Sequence, residues 1–147
     1  MKTFSATTNI KASPETIWGI LTDAPNYPAW DPGVDRIEGT IAPGEQITAY
    51  TKLSPNRAFP AKVTEFVAGQ RMTWTGGMPL GLFKGVRTFT LIPKGDGSID
   101  FTLREEFSGL LLPLFAGSIP DLTKTFEDFA VGLKVRAEAA SSTPATL

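Results

Sequence analysis

The spacing of apolar and polar positions changes period three times along the chain, from strand to helix, back to strand and to helix again. Residues 3 to 11 put Phe4, Ala6, Thr8 and Ile10 on one side, the period-two pattern of a strand with one face on a core. Ser13-Pro14-Glu15 then predicts a helix start. Ser13 can accept from free backbone N–H groups, Pro14 fits the first helical position, and Glu15 suits the positive end of the dipole. Ile17, Trp18, Ile20 and Leu21 form its buried side. Asp23 to Pro32 holds three prolines, which predicts at most a short helix and a stiff loop that presents Tyr27 and Trp30. From 34 to 108 the pattern is that of strands, broken at 43–44, 54–56, 68–69 and 94–97 by turn residues, an antiparallel meander. From Ser118 to about Ala140, apolar residues recur at steps of three and four (Ile119, Leu122, Phe126, Phe129, Leu133, Ala137), predicting one helix of ~34 Å with an apolar stripe.

Strand, two short helices, six strands and a long helix make an α+β fold: a seven-stranded curved antiparallel sheet around a C-terminal helix. The sheet must cover its apolar face, and only the last helix is long enough. A helix ~10–12 Å wide does not fill the concave side of such a sheet, so an internal cavity is expected. Residues 1–140 read as one domain and 141–147 as a frayed polar tail.

Strand parity proposes the walls. In 85–91 and 99–107 the odd positions are Gly85, Arg87, Phe89, Leu91, Ile99, Phe101, Leu103, Glu105 and Phe107, while the even ones are mostly polar. A two-residue turn at Ala68-Gly69 sets Trp74 opposite Val63 and Gly76 opposite Ala61, and adds Met72 and Phe59 to the same face. Glu65 then falls inward and Phe66 outward, a conflict that a strand end or bulge resolves. The expected ligand-binding set is Tyr27, Trp30, Phe59, Met72, Trp74, Arg87, Phe89, Phe101, Leu103, Glu105, Phe107, Phe126 and Phe129. As plain core, the aromatic members would need no ligand.

Arg87 and Glu105 break the apolar pattern. If 94–98 form the connecting loop, the two sit directly opposite each other, and a register shifted by two leaves them diagonal neighbours, so they pair in either case. The two residues satisfy only each other near a strand end, or Arg87 reaches out to solvent, or the pair orients a polar group of a ligand. The apolar segments 76–83, with Met78, Leu80, Leu82 and Phe83, and 109–115, with Leu111 and Leu112, must cover or touch something. We expect them to pack on each other as a lid. A dimer contact, shallow membrane contact or simple capping of the core are the alternatives.

Composition narrows the chemistry. The chain of 147 residues has no cysteine and no histidine, which removes disulfides, thiolate and Ser-His-Asp catalysis and the commonest metal ligands. No metal or cofactor is therefore expected. Fourteen basic against fifteen acidic residues, without charge runs, argue against nucleic acid. No N-terminal apolar leader or spanning stretch is present, so stable membrane insertion is not expected and the cytoplasm is the default location. The sequence leaves monomer and homodimer open.

Ile10 to Trp18, Leu21-Thr22-Asp23, Tyr27 to Pro32, Trp74-Thr75-Gly76 and Glu106 to Gly109, with the terminal helix, resemble the SRPBCC superfamily of START-like, polyketide cyclase/dehydrase-like and pollen-allergen-like helix-grip proteins. The resemblance covers almost the whole chain. It implies the helix-grip fold strongly and activity weakly, because its members range from lipid carriers to aromatic cyclases and co-chaperone activators. Three readings follow: a carrier of a hydrophobic small molecule such as a lipid, fatty acid or polyketide; an aromatase/cyclase or dehydratase-type enzyme using Arg87 and Glu105; or a protein-interaction module without ligand. With no histidine or cysteine, holding a ligand is the preferred reading.

Overall fold

A computed structural model describes residues 1–142. The elements are β1 (Lys2–Ile10), α1 (Pro14–Leu21), a 3-10 segment (Ala24–Ala29), β2 (Val34–Glu38), β3 (Gln46–Thr51), β4 (Ala58–Val67), β5 (Arg71–Met78), β6 (Phe83–Pro93), β7 (Ile99–Ser108), α2 (Leu112–Phe115), a 3-10 turn (Ala116–Ser118) and α3 (Thr123–Ser142). The strands form one seven-stranded antiparallel sheet in the order β1-β7-β6-β5-β4-β3-β2. Each strand from β2 to β7 thus pairs with its sequence neighbour, and β1 closes against β7. The helix α3 packs on β1, β7 and α1. This is the helix-grip arrangement.

Local chemistry accounts for these boundaries. Ser13 caps α1 by accepting from the Thr16 amide at 3.1 Å, with Pro14 in the first turn. The last helix begins at Thr123 rather than Ser118. Ile119 precedes Pro120 and is extended (φ −81°, ψ 117°), because the proline ring disfavours helical backbone before it, and Asp121 then accepts from the Thr123 amide at 2.9 Å. The stripe survives the shortening: Phe126, Phe129, Leu133 and Ala137 are all buried. Of the expected tail, residues 141 and 142 complete α3 and residues 143–147 lie outside the described part.

The β4–β5 register matches expectation at Trp74 for an unexpected reason. The turn has three residues, Ala68 to Gln70, since Val67 pairs with Arg71. A bulge between Val63 and Glu65 takes up the extra residue, and Val63 returns opposite Trp74. The bulge also corrects the parity: Glu65 faces outward and ion-pairs with Arg71, while Phe66 turns in against Trp18, ring centroids 5.2 Å apart. On β6 and β7 the five-residue loop 94–98 gives the expected register, with Phe89 opposite Leu103, Leu91 opposite Phe101 and Arg87 opposite Glu105. No described helix is long and apolar enough to cross a membrane.

Candidate functional site

The interior is organised around Phe129 of α3. Its ring lies 4.8 Å from Trp30, 6.0 Å from Phe89 and from Phe101, and 6.2 Å from Tyr27. Trp74 joins through Phe89 at 4.7 Å and Tyr27 at 6.1 Å. Met72, Trp74, Phe89, Phe101, Leu103, Phe126 and Phe129 are buried, as parity and periodicity expect, and so are Tyr27 and Trp30 at the 3-10 segment. Around Phe129, however, the walls of the anticipated cavity meet ring to ring. A helix positioned by packing on β1 and α1 brings its large stripe residues against the concave face, and aromatic volume takes up the space.

Toward the other end of the face the side chains are only partly buried. Arg87 Nε donates to Glu105 Oε1 at 2.7 Å, with the side chains 27% and 15% exposed, so the pair borders solvent and the apolar interior at once. The guanidinium lies 5.0 Å from the Phe126 ring centre. Glu105 and the Phe107 ring close on Gly85, where a Cβ would stand 3.3 Å from the ring and 3.6 Å from Glu105 Oε2. Half-buried Phe4, Phe83 and Phe107 line this end, with Phe4–Phe107 at 6.3 Å and Phe83–Phe107 stacked at 6.0 Å.

Two polar features escaped the sequence reading. The first is Asp31, only 6% exposed, whose Oδ1 accepts from the Gly33 amide at 3.0 Å. Burial raises its pKa, against the Gly33 hydrogen bond and the Arg87 charge, which lower it. For Arg87, burial works to lower the pKa, but Glu105 and Asp31 outweigh it and hold the guanidinium charged. Glu105 thus pairs with Arg87 directly, and Asp31 acts on it only through its field. Asp31 sits between Trp30 and Pro32, in the loop expected to be rigid, and an acid in that setting was the available signal. The second feature is a pair of buried indole nitrogens, Trp30 Nε1 and Trp74 Nε1, which have no hydrogen-bond partner. Most buried donors are satisfied, so each is a donor held ready. Tyr27 differs, since its hydroxyl donates to the Leu21 carbonyl at 2.6 Å.

Phe59 departs from expectation. It is 37% exposed, beyond the inward run of β4, with Arg57 over its ring at 5.6 Å. The two apolar segments do pack together: Leu111 N donates to the Leu82 carbonyl at 2.8 Å, Leu110 N to the Gly81 carbonyl at 3.1 Å, and Phe83 meets Phe115 at 5.7 Å. Leu112 is buried and Leu82, Phe83 and Leu111 are half-buried. Met78 and Leu80 instead point outward, 45% and 90% exposed, because Leu80 sits in the hairpin turn with φ 61°.

Two open hollows lie outside this interior. One of about 420 Å³ lies at the β5–β6 hairpin tip, and one of about 580 Å³ lies between the Pro28–Pro32 loop and α3.

A family model described as polyketide cyclase/dehydrase and lipid transport matches residues 1–138. No curated protein sequence matches the chain. Among solved structures, a START superfamily protein from Mycobacterium smegmatis is similar at 21% identity and TM-score 0.68, covering 94% of this chain and 98% of that one. The Zhui aromatase/cyclase from Streptomyces sp. R1128 aligns at 8% identity and TM-score 0.76, covering 99% of each chain. A truncated norcoclaurine synthase from Thalictrum flavum aligns at 16% identity and TM-score 0.65, covering 90% of this chain and 91% of that one. At these identities the neighbours establish the fold alone.

Proposed function

The chain belongs to the polyketide cyclase/dehydrase and lipid-transport family, and from that premise we propose that it binds a hydrophobic small molecule between the concave sheet face and α3. Residues 1–140 act as the binding unit. The ligand's apolar body lies against Phe4, Phe83, Phe107 and Phe126, and its polar group approaches Arg87 and Glu105. One observation carries this reading: an ion pair stands on an otherwise apolar face, near the interior's solvent-bordering end. Removing one member of a buried pair is costly, and an apolar pair would fill the same space without that liability. A group that must be recognised gives the pair a use.

Native mass spectrometry of protein purified from cells tests the proposal, with organic extraction to identify the adduct. A bound species of definite mass, displaced by unfolding, is the expected result. Protein that carries no adduct and takes up no fatty acid, lipid or polyketide probe refutes it.

Catalysis of the cyclase/dehydratase type is the second reading, favoured by Asp31. A carboxyl that burial keeps protonated to higher pH, within the field of Arg87, can hold a proton for transfer while the guanidinium polarises a carbonyl. Turnover of a poly-β-ketone mimic, abolished by Asp31→Asn or Glu105→Gln in a folded protein, is the outcome this reading requires.

A further inference from the structure

The hairpin between β5 and β6 ends in Pro79-Leu80-Gly81, and Leu80 is the one non-glycine residue with positive φ among those described, at 61°. A left-handed backbone is unfavourable for a residue with a Cβ and is usually met by glycine. The fold recovers nothing for this strain, because the Leu80 side chain is 90% exposed. Strain that persists without a packing reason points to function.

Leu80 has neighbours of its own kind. The Gly81 carbonyl accepts from the Leu110 amide, so the hairpin tip lies beside the segment between β7 and α2. There Leu110 and Leu114 are 79% and 74% exposed, and Met78 on the hairpin is 45% exposed. Four large apolar side chains therefore face solvent at one end of the molecule. The charge pattern is equally one-sided: residues 75–86 contain Lys84 and no acid, and residues 107–120 contain no charged residue at all. Lys84 lines the open hollow at the hairpin tip together with Met78, Pro79 and Gly81.

We propose that this end is a membrane-docking tip, in which Leu80, Leu110 and Leu114 enter the acyl boundary of an anionic phospholipid surface and Lys84 meets the headgroups. Apolar side chains with a cation and no acid match that surface in both polarity and sign. A glycine at 80 would relax the turn but contribute no apolar area. This surface does not depend on what the interior holds.

Co-sedimentation with vesicles of equimolar phosphatidylcholine and phosphatidylglycerol tests it. Wild type should pellet with the vesicles. Leu80→Ser, Leu110→Ser and Leu114→Ser should each lower the partition coefficient about tenfold, the scale of one leucine's transfer. Lys84→Glu should weaken binding to these vesicles, and added salt should do the same to wild type. Leu80→Gly supplies a fold-independent check: it should raise the unfolding midpoint while lowering partition. Wild type left in the supernatant, or a triple serine variant that pellets like wild type, overturns the proposal. So does a wild-type dimer, seen by analytical ultracentrifugation and dissolved in the triple variant, if the protein leaves vesicles untouched; the occupant is then a second copy.

Discussion

Gly132 of α3 lies directly against the backbone carbonyl of Trp30, too close for any side chain to stand at residue 132. This approach seats the helix on the loop that carries Tyr27, Trp30 and Asp31, and so sets the depth of Phe129 in the interior. Alanine is intrinsically better than glycine in a helix by ~1 kcal/mol, but here its Cβ meets backbone, which has little freedom to yield. Gly132→Ala should therefore destabilise the protein by about 1–3 kcal/mol. Gly19 in α1 has nothing within 4 Å of where its Cβ would be, so Gly19→Ala should stabilise by ~0.5–1 kcal/mol. Urea midpoints of the two variants should move in opposite directions.

Arg87 and Glu105 separate stability from recognition. Arg87→Met leaves a largely buried carboxylate without its partner and should cost about 3 kcal/mol. Arg87→Met with Glu105→Leu removes both charges and should recover most of that loss. If the pair orients a ligand, the double variant is stable yet loses the adduct seen by native mass spectrometry. A double variant that retains the adduct at wild-type occupancy assigns the pair to structure.

Asp31 predicts a pH dependence of definite sign. Its pKa is raised in the folded chain, chiefly by burial, so the folded state holds the proton more tightly than the unfolded state does. The group's contribution is greatest in acid and is lost as pH climbs from the ordinary aspartate value of ~4 through the raised one. The amide introduced by Asp31→Asn keeps an oxygen for the Gly33 N–H and has no charge to desolvate. That variant should match wild type in acid and exceed it increasingly toward neutral pH. A stability gap that does not change with pH sinks this account.

Tyr27 offers a second titration at the alkaline end. Burial, followed by the Asp31 charge, pushes its phenol well above the ordinary value, with Arg87 opposing. Losing the hydrogen bond to Leu21 should make Tyr27→Phe less stable by about 1 kcal/mol near neutrality. Above ~10, where an unfolded tyrosine ionises, wild type loses its advantage and the gap should close. Ultraviolet difference titration of wild type against the variant isolates the Tyr27 ionisation.

The element order, the seven strands and the inward set on β6 and β7 were legible because one face of each strand is buried and period two records which. The Arg87–Glu105 pairing followed from inward parity on both strands, which keeps the two residues neighbours in either register, and the five-residue loop sets them directly opposite. The Val63–Trp74 pairing was reached on a premise the structure replaced: a third turn residue and the bulge before Glu65 cancel, and neither leaves a mark in local propensity. Pro120 displaces the start of α3 to Thr123, although the apolar period extends back to Ile119.

What the sequence determined by itself is this protein's alternation and its inventory: which residues can face inward, and that none of them is histidine or cysteine. Tertiary structure alone decided how far the faces approach. Gly132 lies against Trp30, Phe129 meets the aromatic wall, Asp31 is buried within the field of Arg87, and two indole donors are without partners. Packing depth depends on contacts between residues a hundred positions apart. A pattern read along the chain gives each side chain a direction, but only the folded molecule gives it a distance.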